Sequence, residues 1–187
     1  MGVLLAAGAG TRFGMPKVLA GQGEWLRVAV NALAGGGCDE VVVVLGAAVV
    51  DVPPPARAVF AGDWADGMSA SLRAGLAAAA GARQVVLHLV DTPDIGPDVV
   101  RRMLTAAEHS ESGLVRASYG GRPGHPVVIA AVHWPELVGS LHGDQGARQF
   151  LTDHAGEVVV VECGDLATGA DIDTLGDFGV FGSGHRD

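Results

Sequence analysis

Aromatic residues are scarce in this chain, with five Phe, three Trp and one Tyr among 187 residues, or 5%. Because 49% of the residues are hydrophobic, the core has to be built mainly from Val, Leu and Ala. The length suits one domain with a sizeable core. Positive charge is also short: 12 Lys and Arg against 21 Asp and Glu leave a net charge of −9. That balance argues against nucleic acid or an anionic membrane as the main partner. Any site for a polyanion must then be a local basic pocket. Cys38 and Cys163 are the only cysteines and form no C-x-x-C pair, which fits a reducing cytoplasm and no disulfide framework. No basic segment precedes the first apolar run, so no signal peptide is expected. No apolar stretch reaches the roughly 18 residues of a membrane span. The Met-Gly start lacks a hydroxyl residue at position six, against myristoylation.

The informative stretch is residues 3–19. Val3 to Ala7 reads as a buried strand that breaks into a glycine-rich loop carrying Arg12 and Lys17. Glycines let backbone N–H groups close on a phosphate, and the two cations balance its charge. The glycines Gly8, Gly10 and Gly14 are spaced G-x-G-x-x-x-G. Phe13 stands where a dinucleotide motif needs its third glycine, and the second strand, ending Val44-Leu45-Gly46-Ala47, carries no acid. No Gly-Lys-Ser/Thr of a Walker loop is present. A plain turn with incidental charges is the alternative, against which Arg12, Lys17 and the stiffening Pro16 weigh together.

Strand and helix signals alternate. Trp25, Val28, Ala29, Ala32 and Leu33 share a helical face that stops at Gly35-Gly36-Gly37. Val41 to Leu45 and Val85 to Val90 read as strands buried on both faces, and Ala58 to Phe60 as a short one. A helix capped by Ser69 is expected to about Ala80, and another from Pro97 through Leu104. Leu114–Ser118 and Pro126–Ala130 flank a hairpin or long turn over Tyr119–His125, and Val158–Val161 is a late strand. The pattern predicts a Rossmann-like, doubly wound α/β fold with a mostly parallel sheet over residues 1–178 and a frayed tail at 179–187. Ligands then bind beyond the strand C-termini.

Asp91 follows His88-Leu89-Val90 at such a strand end. A carboxylate there can hold Mg²⁺ beside a phosphate, or cap the next helix. Asp171 and Asp173 form a second pair, read either as completing that metal site or as a cap before Leu175–Phe178. Ser69 and Ser71 stand at a helix start, where anions gather, although simple capping explains Ser69. The Gly/Pro-rich stretch around Arg122 and His125 can wall a second, anionic substrate or be a solvent hairpin. Gly143–Arg148 is a similar loop entering a helix.

Six segments in order resemble the nucleotidyltransferase family that includes molybdenum cofactor cytidylyltransferase. They are Leu5–Gly14 with Lys17, Gly67–Leu72, Asp91-Thr92-Pro93, Gly124-His125-Pro126-Val127, Gly143–Arg148 and Asp171–Thr174. The resemblance implies transfer of CMP from CTP to the terminal phosphate of molybdopterin, with pyrophosphate leaving. It implies a nucleotide site at Leu5, Ala6, Ala7, Gly8, Gly10, Arg12, Lys17, Ser69 and Ser71. Mg²⁺ would sit on Asp91 with Asp171 or Asp173, and the second substrate would face Arg122, His125 and Arg148. Arg12, Lys17 and Asp91 would carry catalysis. The Ala6-Ala7-Gly8 stretch resembles the cytidylyl branch; the guanylyl branch usually has two glycines at that step. Leu175 and Gly176 depart from the family's usual Pro and Glu after Asp-Thr. Guanylyl transfer, a nicotinamide-dependent oxidoreductase of the nicotine-blue type, and a molybdopterin carrier serving a molybdoenzyme client are the alternatives on this fold.

Overall fold

Every residue of β1 (Gly2–Leu5) is buried, as is every residue of β2 (Val41–Leu45). Strands apolar on both sides need a layer over each face. In the computed structural model, which describes residues 1–174 and residue 177, helices supply both layers. The tail expected at 179–187 and most of the Leu175–Phe178 segment lie outside the described residues.

The other strands are β3 (Arg57–Phe60), β4 (Gln84–Leu89), β5 (Leu114–Tyr119), β6 (Arg122–Ala130) and β7 (Val159–Glu162). Together they form a seven-stranded sheet ordered β3-β2-β1-β4-β6-β5-β7. Only β6 runs against its neighbours. The expected mostly parallel α/β architecture is therefore the one that forms. Alternation along the strands sorts the core. Leu4, Val43, Val86, Val115 and Val128 pack against α1 (Glu24–Gly35) and α3 (Pro97–Glu108). Val3, Val42, Leu87 and Val127 pack against α2 (Met68–Ala78), α4 (Trp134–Ser140) and α5 (Arg148–Asp153). Leu4, Leu33, Leu72 and Met103 are almost wholly buried, and each such side chain contributes about 1.5–3 kcal/mol by leaving water.

From β1 the chain builds outward through β2 to β3, then crosses to β4 on β1's other side. The strand order reverses between β1 and β4, and a crevice opens there beyond their C-terminal ends.

One local expectation changes and one open alternative is decided. Ser69 is not a cap: Gly67 precedes the helix, which already includes Met68, and no side chain caps its start. Instead the Ser69 N–H donates to the Gly143 carbonyl at 3.1 Å, which ties this helix to the loop before α5. Of the two readings of Tyr119–His125, the hairpin is the one that forms. Gly120 and Gly121, with φ of +58° and +79°, make a two-residue turn whose twist matches the strands. Arg122–His125 then belongs to β6.

Candidate active site

The loop after β1 is pinned before it reaches its glycines. The Ala6 N–H donates to the Val44 carbonyl at 3.0 Å, and Ala47 returns a bond to the Ala7 carbonyl at 2.9 Å. The chain then doubles back at Gly10, whose φ is +62°. A Cβ at Gly10 would lie 1.9 Å from the Met15 carbonyl oxygen, so only glycine lets the two ends of the loop touch. Phe13 is buried, and its ring sits 5.3 Å from that of Trp25, which anchors the loop to α1. Arg12 is left pointing outward, its side chain 78% exposed.

Lys17 turns inward. Its Nζ donates to Asp91 Oδ2 and to Asp173 Oδ1, both at 2.8 Å. Arg12 holds the other oxygen of Asp173 at 3.1 Å. Burial alone would lower the Lys17 pKa, but its hydrogen bonds and charge pairing with Asp173 and Asp91 outweigh that and raise it. The same bond to Lys17 holds the Asp173 carboxyl below the usual carboxylate range. Asp173 reaches this place because the chain returns across the sheet edge. Ile172 is fully buried, and its N–H donates to the Asp91 carbonyl at 2.9 Å. Asp171 and Asp173 therefore flank an anchored apolar residue. Asp171 is exposed and makes no bond to Lys17, yet partial burial and the charges of Asp91 and Asp173 push its carboxyl up. Not the side chain of either aspartate but Thr174 bonds Asp177: its N–H and hydroxyl both donate to Asp177 Oδ2 at 2.8 Å, and the Asp177 N–H donates to Thr174 Oγ1 at 3.3 Å.

Around these charges lies a cleft of about 640 Å³, a size usual for a small-molecule site. It collects Leu5, Ala6, Ala7, Gly8, Gly10, Arg12, Lys17, Ser71, Asp91 and Asp173 of the residues singled out from sequence. Ser69 is buried behind it, and Asp171, Arg122, His125 and Arg148 do not line it. Among the described residues no three acidic, His or Cys side chains form a metal-holding group. Two carboxylate oxygens nonetheless converge on one cationic atom, and Asp91 Oδ1 is buried without a hydrogen-bond partner. Mg²⁺ is commonly held by one or two carboxylates and completed by waters and phosphate oxygens, so this donor set fits such an ion.

Sequence reasoning passed over other residues that line the cleft, Trp64 and Asp144 among them. Trp64 opens the same segment as Ser69 and Ser71, and a tryptophan beside a Gly-rich helix start was the available signal.

Comparison with known proteins follows this geometry. The model of the MobA-like NTP transferase domain matches residues 2–158, which includes Arg12, Lys17 and Asp91 but ends before Asp173. A protein named nicotine blue oxidoreductase, from Paenarthrobacter nicotinovorans, is 39% identical over 189 residues, covering 93% of this chain and 92% of its own. The crystal structure of Rv0371c from Mycobacterium tuberculosis superposes with a TM-score of 0.74 at 27% identity, covering 96% of this chain and 95% of that one. A nucleotidyl transferase from Methanothermobacter shares the fold, with a TM-score of 0.76 at 24% identity over 96% of this chain and 94% of its own. Among the described residues no helix is long and apolar enough to cross a membrane. By the extent of this match, the chain belongs to the family of the MobA-like NTP transferase domain.

Proposed function

We propose that the protein transfers CMP from CTP to the terminal phosphate of a molybdopterin-type acceptor. The observation that carries the reading is the convergence of the Gly8–Gly10 loop, Arg12, Lys17, Asp91 and Asp173 on one cleft at the switch point of the sheet. An acceptor phosphate oxygen attacks the α-phosphorus of CTP. The bond from that phosphorus to the oxygen bridging to the β-phosphate breaks, and the electron pair leaves with pyrophosphate. The acceptor is an anion at neutral pH, so no strong base is required. The barrier is charge repulsion and misorientation, which favours electrostatic and positional catalysis.

Arg12 reaches from the loop to the triphosphate and the departing pyrophosphate. Lys17 is placed to exchange its carboxylate partners for phosphate oxygens. Asp91 and Asp173 are the residues that would hold Mg²⁺ or a similar ion, with exposed Asp171 beside them. When bound, such an ion supplies Lewis-acid polarisation and charge neutralisation at phosphate oxygens. Rv0371c, at 26% identity and a TM-score of 0.70, has been crystallised in complex with manganese, which supports a divalent ion in this fold. Ala7 places a methyl group in the cleft wall and favours a pyrimidine over a purine. Trp64 and Ser71 border the same wall.

A second reading has its own observation. The 39% identical relative bears an oxidoreductase name, so nicotinamide-dependent reduction on this fold is the competitor. Pyrophosphate release from CTP, GTP and ATP with Mg²⁺ and molybdopterin, run beside NADPH oxidation with the same protein, separates the two. Release with CTP in excess over GTP is expected. NADPH consumption without pyrophosphate would overturn the transfer reaction.

A further inference from the structure

Among the described residues Arg116 is a charge without a counter-ion. It sits in β5, paired on one side with Val127 of β6 and on the other with Val160 of β7. Its Nε is buried and has no hydrogen-bond partner, and no carboxylate among the described residues pairs with it. Val160 beside it is 62% exposed, so this part of the sheet face is open on its β7 side. The obvious partner, Glu162, lies on the same face two residues along β7. Its carboxylate is already taken, by Ser118 Oγ at 2.6 Å and by the backbone N–H groups of Gly120, Gly121 and Gly164 at 2.8, 3.2 and 2.9 Å. Four donors hold Glu162 to the hairpin tip and away from Arg116.

The groups that do face Arg116 make its position worse. Arg148, the first residue of α5, adds a second positive charge, and burial with that repulsion lowers the Arg116 pKa. His125 connects this place to the cleft. It lies in β6 where the register with β5 slips, an irregularity that re-aims side chains. Its imidazole feels both the negative charge of Asp91 and the positive charge of Arg116. An arginine fork with a desolvated N–H and a cationic neighbour matches a phosphate-like oxyanion. That anion is not the triphosphate, because none of these three residues lines the nucleotide cleft.

We propose that Arg116, with Arg148 beside it and His125 leading from Asp91, forms a second anion seat that binds an oxyanion group of the acceptor. The existence of the seat follows from the unpaired arginine; that its occupant is the acceptor rests on the transfer reaction proposed above. Arg116 is then the residue that selects for an anionic acceptor.

Inorganic phosphate is the probe. It is titrated into the free protein and into protein saturated with CTP and Mg²⁺, while the arginine Nε–H resonances are followed by NMR. The Arg116 signal is identified by its loss in Arg116→Gln. Phosphate should move this signal in both samples. In Arg116→Gln its affinity should fall about tenfold or more, as expected for a lost charge-assisted pair. Arg83→Gln, an exposed arginine just before β4, should bind as wild type. The melting temperature of Arg116→Gln should equal or exceed that of wild type, since a half-buried arginine with a buried, unpartnered Nε is removed. In turnover the variant should raise KM for the acceptor and leave KM for CTP unchanged. An unmoved Arg116 resonance, phosphate that only displaces CTP, or a clear drop in melting temperature would each overturn the seat. Failure of CTP to bind would instead overturn the transfer reaction, and the titration of the free protein would still read Arg116.

Discussion

Replacing Lys17 by Met removes the cation on which Asp91 and Asp173 converge, and the cost can be worked from the exposure of each group. The Lys17 and Asp91 side chains are 15% and 19% exposed, so their bond is largely shielded from water. A shielded hydrogen bond to a charged group contributes about 1.5–3 kcal/mol. Asp173 is 42% exposed, and solvent screening holds its share to under about 1 kcal/mol. Methionine keeps the apolar stem, so little packing is lost. The loss of about 2–4 kcal/mol should lower the melting temperature by roughly 4–16 °C for a chain of this size. In the variant two carboxylates face each other with no cation between them, and a divalent ion no longer competes with an ammonium for that place. Melting scans in EDTA and across a Mn²⁺ titration should therefore show a larger upward shift for Lys17→Met than for wild type. A variant that melts with wild type in EDTA and ignores Mn²⁺ would refute both the energetic role of Lys17 and the fit of the ion.

Gly10→Ala should abolish nucleotide-induced stabilisation in thermal-shift assays, because its Cβ would overlap the Met15 carbonyl; Gly8→Ala, whose Cβ meets nothing within 4 Å, should leave the unliganded melting temperature unchanged. Stability should also fall as pH drops from 6.5 toward 4. His88 is fully buried with neither ring nitrogen bonded, and burial lowers its pKa to about 3, while burial brings that of His125 to about 4. The unfolded chain takes up these protons first, near pH 6.5, so unfolding gains about 1.4 kcal/mol per histidine for each pH unit in that window. His88→Leu should flatten the slope of denaturation midpoints against pH, and an unchanged slope would show that His88 titrates normally.

Hydrophobic runs such as Val41–Leu45 made the sheet legible, since a strand buried on both faces needs no partner information to be recognised. The glycine-rich loop was legible for a related reason: glycine spacing and two cations are local properties. Asp91 was found because a strand end is a place in the fold as well as in the chain. The partners of Lys17 were not: the lysine was assigned to phosphate, and its seat between two carboxylates depends on how Ile172 docks. Ser69 misled because a serine at a helix start has the same local pattern whether it caps or lies one residue inside. Arg116 was silent, since an arginine in a strand is ordinary until its neighbours are known to leave it unpaired.

The bond between Lys17 and Asp173 spans 156 residues, while the last strand of the sheet ends at Glu162. A chain cut short between these two points keeps every strand and the Gly10 loop, yet lacks both Ile172, which clips the return segment to Asp91, and the carboxylate that shares Lys17. Such a fragment would fold without a finished site. The sheet and the charge arrangement at its edge are therefore separable by truncation, because the arrangement draws its last carboxylate from beyond the final strand.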